Sequence, residues 1–309
     1  MSKAEVTTAK GKQGDQNRSQ KPAQITIKDR PPMPSGNVPK QAKEPREPLM
    51  MVVCGMKGVG KTYTSIKEIE RYLQTTPTKK GRKVLVFDVN APLERSYEKF
   101  VSVAVEDVSR LKAIEARRVV PLKADGQPMT IDEKCQTLYQ LLTTYTNGML
   151  VMEDINNYVI GVNTVELIGA ITTNRHRDLD LLIHYQSLSA LHPRVWQNCS
   201  VIRFHHQLDD IDRYRNRIPN YELMKLAQLI VDEQYNRGNQ RYFVYVRNLD
   251  NKIIGTTPYW FRIACEKYLI QNKKILKNIL AERNEKGKPK YDHRTAIDAF
   301  CQMKMHYIQ

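Results

Sequence analysis

Residues 52–62 read Val52-Val53-Cys54-Gly55-Met56-Lys57-Gly58-Val59-Gly60-Lys61-Thr62. The pattern G-x-x-x-x-G-K-T is complete between Gly55 and Thr62. It follows an apolar run with strand character and opens a stretch of helical spacing that begins Tyr63-Thr64-Ser65-Ile66, which is the context a phosphate-binding loop requires. The glycines let the backbone curl so that several N–H groups and a helix N-terminus converge on one anion. Lys61 is expected to reach the β and γ phosphates, and the Thr62 hydroxyl to ligate a metal ion. The expected nucleotide contacts are Gly55, Met56, Lys57, Gly58, Val59, Gly60, Lys61, Thr62 and Tyr63, and the expected cofactors are ATP and Mg²⁺.

Outward from the loop, short apolar runs alternate with amphipathic stretches, as in βαβ units around a mostly parallel sheet. Strands are expected at 49–54, 83–88, 149–152, 181–185, 200–204 and 241–246, with helices at 61–73, 131–145, 163–174 and 221–235. A hairpin pairing 242–246 with 252–255 through Asn248-Leu-Asp-Asn251 would close one sheet edge. A last helix, from about Trp260 to Ala281, carries Lys267, Lys273, Lys274 and Lys277. Residues 1–48 are rich in Lys, Gln, Ser, Gly and Pro with few apolar anchors, the composition of a disordered basic arm. The expected division is therefore an arm over 1–48, an α/β phosphate-binding-loop domain over 49–256 and a basic helical extension over 257–309.

A nucleotide hydrolase of this kind needs a carboxylate-bearing strand beside the loop strand, to serve the metal and to orient the attacking water. Gly148-Met-Leu-Val-Met-Glu153-Asp154 supplies one. This is the Walker B form of ATPases with an additional catalytic acid, except that the usual order of Asp then Glu is inverted. By position Glu153 takes the metal and Asp154 the water. The shorter Asp154 leaves an exchange of roles open, and Asp88, ending Val84-Leu-Val-Phe-Asp88, is a rival for the metal. Loops of the ParA/MinD type carry an extra lysine in K-G-G-x-G-K-T; Lys57 lies one residue out of that register and reads as a solvent-facing loop residue.

The stretch Asn174-Arg175-His176-Arg177-Asp178-Leu179-Asp180-Leu-Leu-Ile-His-Tyr-Gln186 brings a basic cluster into an apolar strand that ends in glutamine. With the loop, and with Phe87-Asp88-Val89-Asn90, Glu94 and Tyr97 after the second strand, it resembles the HerA/FtsK superfamily of ring-forming DNA pumps. Within that superfamily it resembles the viral genome-packaging ATPases and the zonula occludens toxin family of filamentous phages. The likeness spans residues 49–205. It implies a P-loop NTPase sheet of the additional-strand catalytic-acid, RecA-like type. It makes Gln186 the sensor of the γ-phosphate and Arg175, with Arg177 as understudy, the finger that completes a neighbouring subunit's site. The inverted acids depart from the family pattern, and no membrane span accompanies them as it does in the toxin-like proteins.

Composition sets the outer bounds. Forty-nine Lys and Arg against 33 Asp and Glu give a formal charge of +16, a surface that attracts polyanions such as nucleic acid. Five scattered cysteines without CxxC spacing argue against a zinc site or a disulfide framework and fit a reducing cytosol. No apolar run approaches the roughly 18 residues of a membrane span. His205 and His206 lack acids or cysteines at ligand spacing and read as structural. The resulting expectation is a homo-oligomeric, hexameric ATPase ring that translocates DNA, packages a viral genome, contacts capsid vertex proteins and works in the host cytoplasm or on the virion. A toxin-like assembly factor that moves protein, and a ParA-like DNA-binding switch, are the alternatives.

Overall fold

The computed structural model describes residues 46–159 and 164–309, so the expected arm lies, up to residue 45, outside the described residues. The chain runs β1 (Met50–Cys54), α1 (Lys61–Leu73), β2 (Lys83–Phe87), β3 (Val101–Ser102), β4 (Ala116–Val119), α2 (Ile131–Thr144), β5 (Gly148–Met152), α3 (Thr164–Thr172) and β6 (Leu179–Tyr185). It continues through α4 (Pro193–Asn198), β7 (Val201–His205), α5 (Tyr221–Asn236), β8 (Phe243–Arg247), β9 (Lys252–Ile254), α6 (Pro258–Gln271), α7 (Lys273–Ala281) and α8 (His293–Lys304). Nine strands form one sheet in the order β3-β4-β2-β5-β6-β1-β7-β8-β9. The first seven in that order are parallel; β8 and β9 add an antiparallel edge.

Burial follows from this order. Strands covered by helices on both faces are buried throughout, as in β5 and β6, where every residue is buried, whereas β8 alternates buried and half-buried residues because one face meets solvent. Side-chain alternation divides the core in two. Val53, Val84, Val86, Val151 and Leu182 face α1, together with Tyr97 and Phe100. Val52, Cys54, Leu85, Phe87, Leu150 and Ile183 face the larger layer that contains α2, α3, α5 and α6. Local signals start the helices: Thr130 and Glu133 form a capping box on α2, and Thr257 caps α6 with Pro258 in its first turn.

Three expectations change. The single helix at 260–281 is two, because the backbone of Asn272 leaves helical angles (φ −108°, ψ 63°) and its backbone N–H and side-chain amide both donate to the Tyr268 carbonyl, at 2.9 and 2.8 Å. β3 and β4 extend the sheet beyond β2 without an apolar run; β4 is Ala-Arg-Arg-Val, with Arg118 paired to Asp88. α8, a further helix, buries Ala296, Phe300 and Cys301, with Ile297 packed partly against the core. Among the described residues no helix is long and apolar enough to cross a membrane.

The base of the sheet, at the N-terminal end of β6, is tied by charge. Asp180 is buried there and accepts from the Leu49 N–H and the Tyr72 hydroxyl, while Arg46 and Arg82 pair with both Asp178 and Asp180. Asp178 makes the turn into β6 in the left-handed region, at φ +47°, which aspartate tolerates better than most side chains.

Candidate functional site

The parallel strands end together at one edge, and the loop from Gly55 to Gly60 lies over it. The Gly55 N–H donates to the Tyr185 carbonyl at 3.2 Å and the Met56 N–H to the His206 carbonyl at 2.9 Å, so the loop is pinned to the ends of β6 and β7. A Cβ on Gly55 would stand 2.6 Å from that of His205, which leaves room only for glycine. Gly58 and Gly60 take φ of +87° and +86°, which glycine adopts without strain. Among the described residues, no backbone carbonyl accepts from the N–H groups of Lys57 through Tyr63; those of the first helical turn are the donors any helix start leaves free. Lys61 turns its ammonium back onto the Gly55 and Met56 carbonyls, at 2.5 and 3.2 Å. Burial pushes its pKa below the ordinary value, against the pull of Asp154. A curled row of donors with a lysine in it fits a polyphosphate.

A cleft of about 440 Å³ opens beside the loop. It is lined by Met56, Lys57, Gly58, Gly60, Lys61, Thr62 and Tyr63, and on the other wall by Asn90, Glu94, Glu153, Asp154, Asn157 and Gln186. Loop, acids and glutamine therefore meet. They do so because β6 lies between β1 and β5, setting Gln186 between the loop and the two acids. In fold, the chain is a P-loop NTPase of the additional-strand type.

The two acids of this P-loop NTPase differ in setting. Glu153 is buried, with one carboxylate oxygen accepting from the Tyr97 hydroxyl and the other 2.9 Å from His184 Nδ1. Burial alone would raise its pKa, yet His184, Tyr97 and Lys61 hold it below the usual carboxylate range. Asp154 is half-buried at φ +41°, faces the cleft, and stands 3.4 Å from the Asn90 amide nitrogen. Glu153 and Thr62 both line the cleft, and a carboxylate and a hydroxyl are the oxygen ligands that a hydrated divalent cation takes. Asp88, the rival, pairs with Arg118 at 3.2 Å and is not among the residues lining the cleft. Lys57 is 88% exposed and pairs with Glu94 at 3.1 Å. Val59 is buried under the loop rather than in the cleft.

The arginines sit elsewhere. Arg175 lies before β6, a strand of seven residues whose other end carries Gln186, so it stands roughly 20 Å from the cleft of its own chain. It is exposed and, among the described residues, pairs only with exposed Glu47, at 3.0 Å, a contact of about 0–1 kcal/mol. Arg177 is half-buried and donates to the Leu142 carbonyl. His205 is buried against Phe243, and His206 pairs with Asp232 at 2.7 Å and stacks on Tyr235. Among the described residues no three His, Cys, Asp or Glu side chains gather as a metal site.

Sequence reading missed three further residues beneath the loop: Ser65, His184 and Arg203, all fully buried. The available signal was a polar residue inside an apolar strand, His184 in Leu-Leu-Ile-His-Tyr and Arg203 in Val-Ile-Arg-Phe, since such residues are buried only with partners. Also missed was Arg241, which with Tyr63, Lys67, Glu68, Arg71, Phe243 and Tyr245 lines a second cleft of about 280 Å³ on the far side of Gly60.

No protein-family model matches the chain, and no curated protein matches it. Solved structures do. The chain is similar to the genome packaging NTPase B204 from Sulfolobus turreted icosahedral virus 2 in complex with ATP-gammaS, at 15% identity over 67% of this chain and 96% of that one, with a TM-score of 0.42. For B204 of Sulfolobus turreted icosahedral virus, described as a DNA-packaging ATPase, the identity is 15%, the coverage 67% and 97%, and the TM-score 0.45. The N-terminal domain of zonular occludens toxin from Neisseria meningitidis matches at 13% identity over 51% of this chain and 76% of that one, with a TM-score of 0.33. At these identities the likeness is one of fold.

Proposed function

We propose that this protein is an ATPase that works as a homo-oligomeric, hexameric ring, translocates DNA, and packages a viral genome into a preformed capsid in the host cytoplasm. The observation that carries the reading is the separation along β6: Gln186 lines the cleft with Lys61, Glu153 and Asp154, while Arg175 stands exposed at the other end. Such an arginine serves a neighbour's site and not its own. The formal charge of +16 supports a polyanionic cargo. Residues 49–256 form the ATPase domain in this reading, and 257–309 a basic extension beside it that faces capsid vertex proteins.

Each residue has a role in this chemistry. Lys61 exchanges the Gly55 and Met56 carbonyls for phosphate oxygens, and the free N–H groups of residues 57–63 hold the rest of the polyphosphate. Thr62 and Glu153 would hold Mg²⁺, which when bound would supply charge neutralisation at the phosphates. Asp154 takes the proton of the attacking water, which Gln186 orients. Arg175 from the next subunit stabilises charge on the transferring phosphoryl group, so hydrolysis depends on assembly.

DNA is expected to stimulate ATP hydrolysis, and its affinity to fall with salt at a log–log slope of about −0.9 per phosphate contacted on duplex DNA. Hydrolysis indifferent to DNA across a salt titration would overturn translocation and leave a protein cargo.

The ring has its own test. Arg175→Ala subunits keep an intact loop but lend no finger; Lys61→Ala subunits lend a finger but cannot hydrolyse. A mixture of the two inactive proteins is expected to regain part of the activity at mixed interfaces. No recovery despite demonstrated co-assembly removes Arg175 from the site.

A further inference from the structure

Five buried polar groups run beneath α1 from β7 to the head of the cleft. Arg203 Nη2 donates to Ser65 Oγ at 2.6 Å and to the Lys61 carbonyl at 3.0 Å. Ser65 Oγ lies 2.7 Å from His184 Nε2, and His184 Nδ1 lies 2.9 Å from Glu153 Oε2. Arg203, Ser65 and His184 are wholly inaccessible and Glu153 nearly so, and Glu153's other oxygen is taken by Tyr97. At its far end Arg203 Nη1 donates to Glu68 Oε2 at 2.5 Å, and the Tyr245 hydroxyl donates to Glu68 Oε1 at 2.6 Å.

One direction follows from what each group can do. Guanidinium has only donors, so Ser65 Oγ accepts from Arg203 and keeps its own proton to give. Sent to His184 Nε2, 2.7 Å away, that proton leaves Nδ1 carrying the ring hydrogen, which is donated to Glu153. That tautomer satisfies all partners, with a cation at one end and a carboxylate at the other.

We propose that Arg203, Ser65 and His184 are positioning residues, a one-way hydrogen-bond relay that clamps Glu153 to the phosphate-binding helix. Because Arg203 also holds the Lys61 carbonyl, the relay fixes the acid and the loop lysine as one rigid unit. Asp154, outside the relay, is left as the acid that moves. This rests on the ATPase reading above for its kinetic consequence, but not for its geometry.

The test joins a spectrum to a rate. In the apo protein, ¹⁵N-imidazole NMR should find His184 protonated at Nδ1 alone, and Ser65→Ala, which removes the proton directed at Nε2, should release that tautomer into a mixture. His184→Gln moves the amide toward the Nε2 position and loses the donor to Glu153; kcat should fall about tenfold or more, as for other groups that orient a site's ligands, with KM for ATP within about twofold. His184→Asn places its amide nitrogen where Nδ1 was and should recover most of that loss. An imidazolium or an Nε2–H tautomer in the parent protein overturns the relay, as do equal kcat losses in the Gln and Asn variants. Parent protein that fails to hydrolyse ATP overturns the ATPase reading instead, and the tautomer then tests the relay alone.

Discussion

Lys61→Ala is expected to lower ATP turnover by on the order of a hundred- to a thousandfold, the effect of removing one preorganised charge-stabilising donor, while near-UV circular dichroism stays that of the parent protein. The fold should survive because the polar contacts of the lysine side chain are two carbonyls of its own loop, Gly55 and Met56. The ammonium is nonetheless the cationic group of the loop that faces both acids across the cleft. Without it the phosphates keep the backbone N–H groups and lose the charge that grows in value as negative charge moves toward the leaving oxygen. Phosphate-release kinetics on protein freed of contaminating ATPase decide the matter, and turnover near that of the parent would sink the assignment of the loop.

Neutralising the two acids should separate their roles. Asp154→Asn is expected to bind ATP with Mg²⁺ as before and to lose on the order of 10²–10⁴ in kcat, the range of a positioned general base. Among the described residues its side chain has one hydrogen-bond partner, the Asn90 amide at 3.4 Å, so an amide there disturbs little else. Glu153→Gln is a different experiment. Both oxygens of Glu153 are acceptors, from Tyr97 and from His184, and a glutamine must turn its NH₂ toward one of those donors. One buried donor is then unpaired, at about 1–3 kcal/mol. Glu153→Gln should therefore lower the melting temperature and raise the Mg²⁺ concentration needed for half-maximal rate, whereas Asp154→Asn should do neither. If the phenotypes exchange, the roles read from the order of the acids are exchanged too.

The phosphate-binding half of this geometry was legible in the sequence because it is local. G-x-x-x-x-G-K-T fixes a strand, a curled loop and a helix start within 11 residues, and α1 begins at Lys61 and ends at Leu73 as its spacing predicts. Glu153, Asp154 and Gln186 were visible as polar residues at the ends of apolar strands. Their meeting in one cleft depends on strand order, which no local pattern carries. The relay was hidden for the same reason: His184, Arg203 and Ser65 come from three elements and look like isolated exceptions until β6 and β7 flank β1. Arg177 resembles Arg175 in sequence, and they part only in the fold, where Arg177 donates to the Leu142 carbonyl and Arg175 stands exposed beside Glu47. β4 and α8 escaped because their burial is supplied by neighbours and not by their own hydrophobicity.

One consequence of the strand order concerns the birth of the protein. β1, which carries the phosphate-binding motif, pairs with β6 and β7 and with no other strand. Its residues leave the ribosome before both of its partners, Leu179–Tyr185 and Val201–His205, which follow more than a hundred residues later. Pairings of such long range are slow to form, and domains complete their cores as units. β2 and β5 can meet first, but the loop has nothing to curl over until residue 206 offers its carbonyl to Met56. A nascent chain therefore carries the whole motif without a nucleotide cradle while residues 63–206 are made, and acquires loop, acids and glutamine as a working edge in one late step.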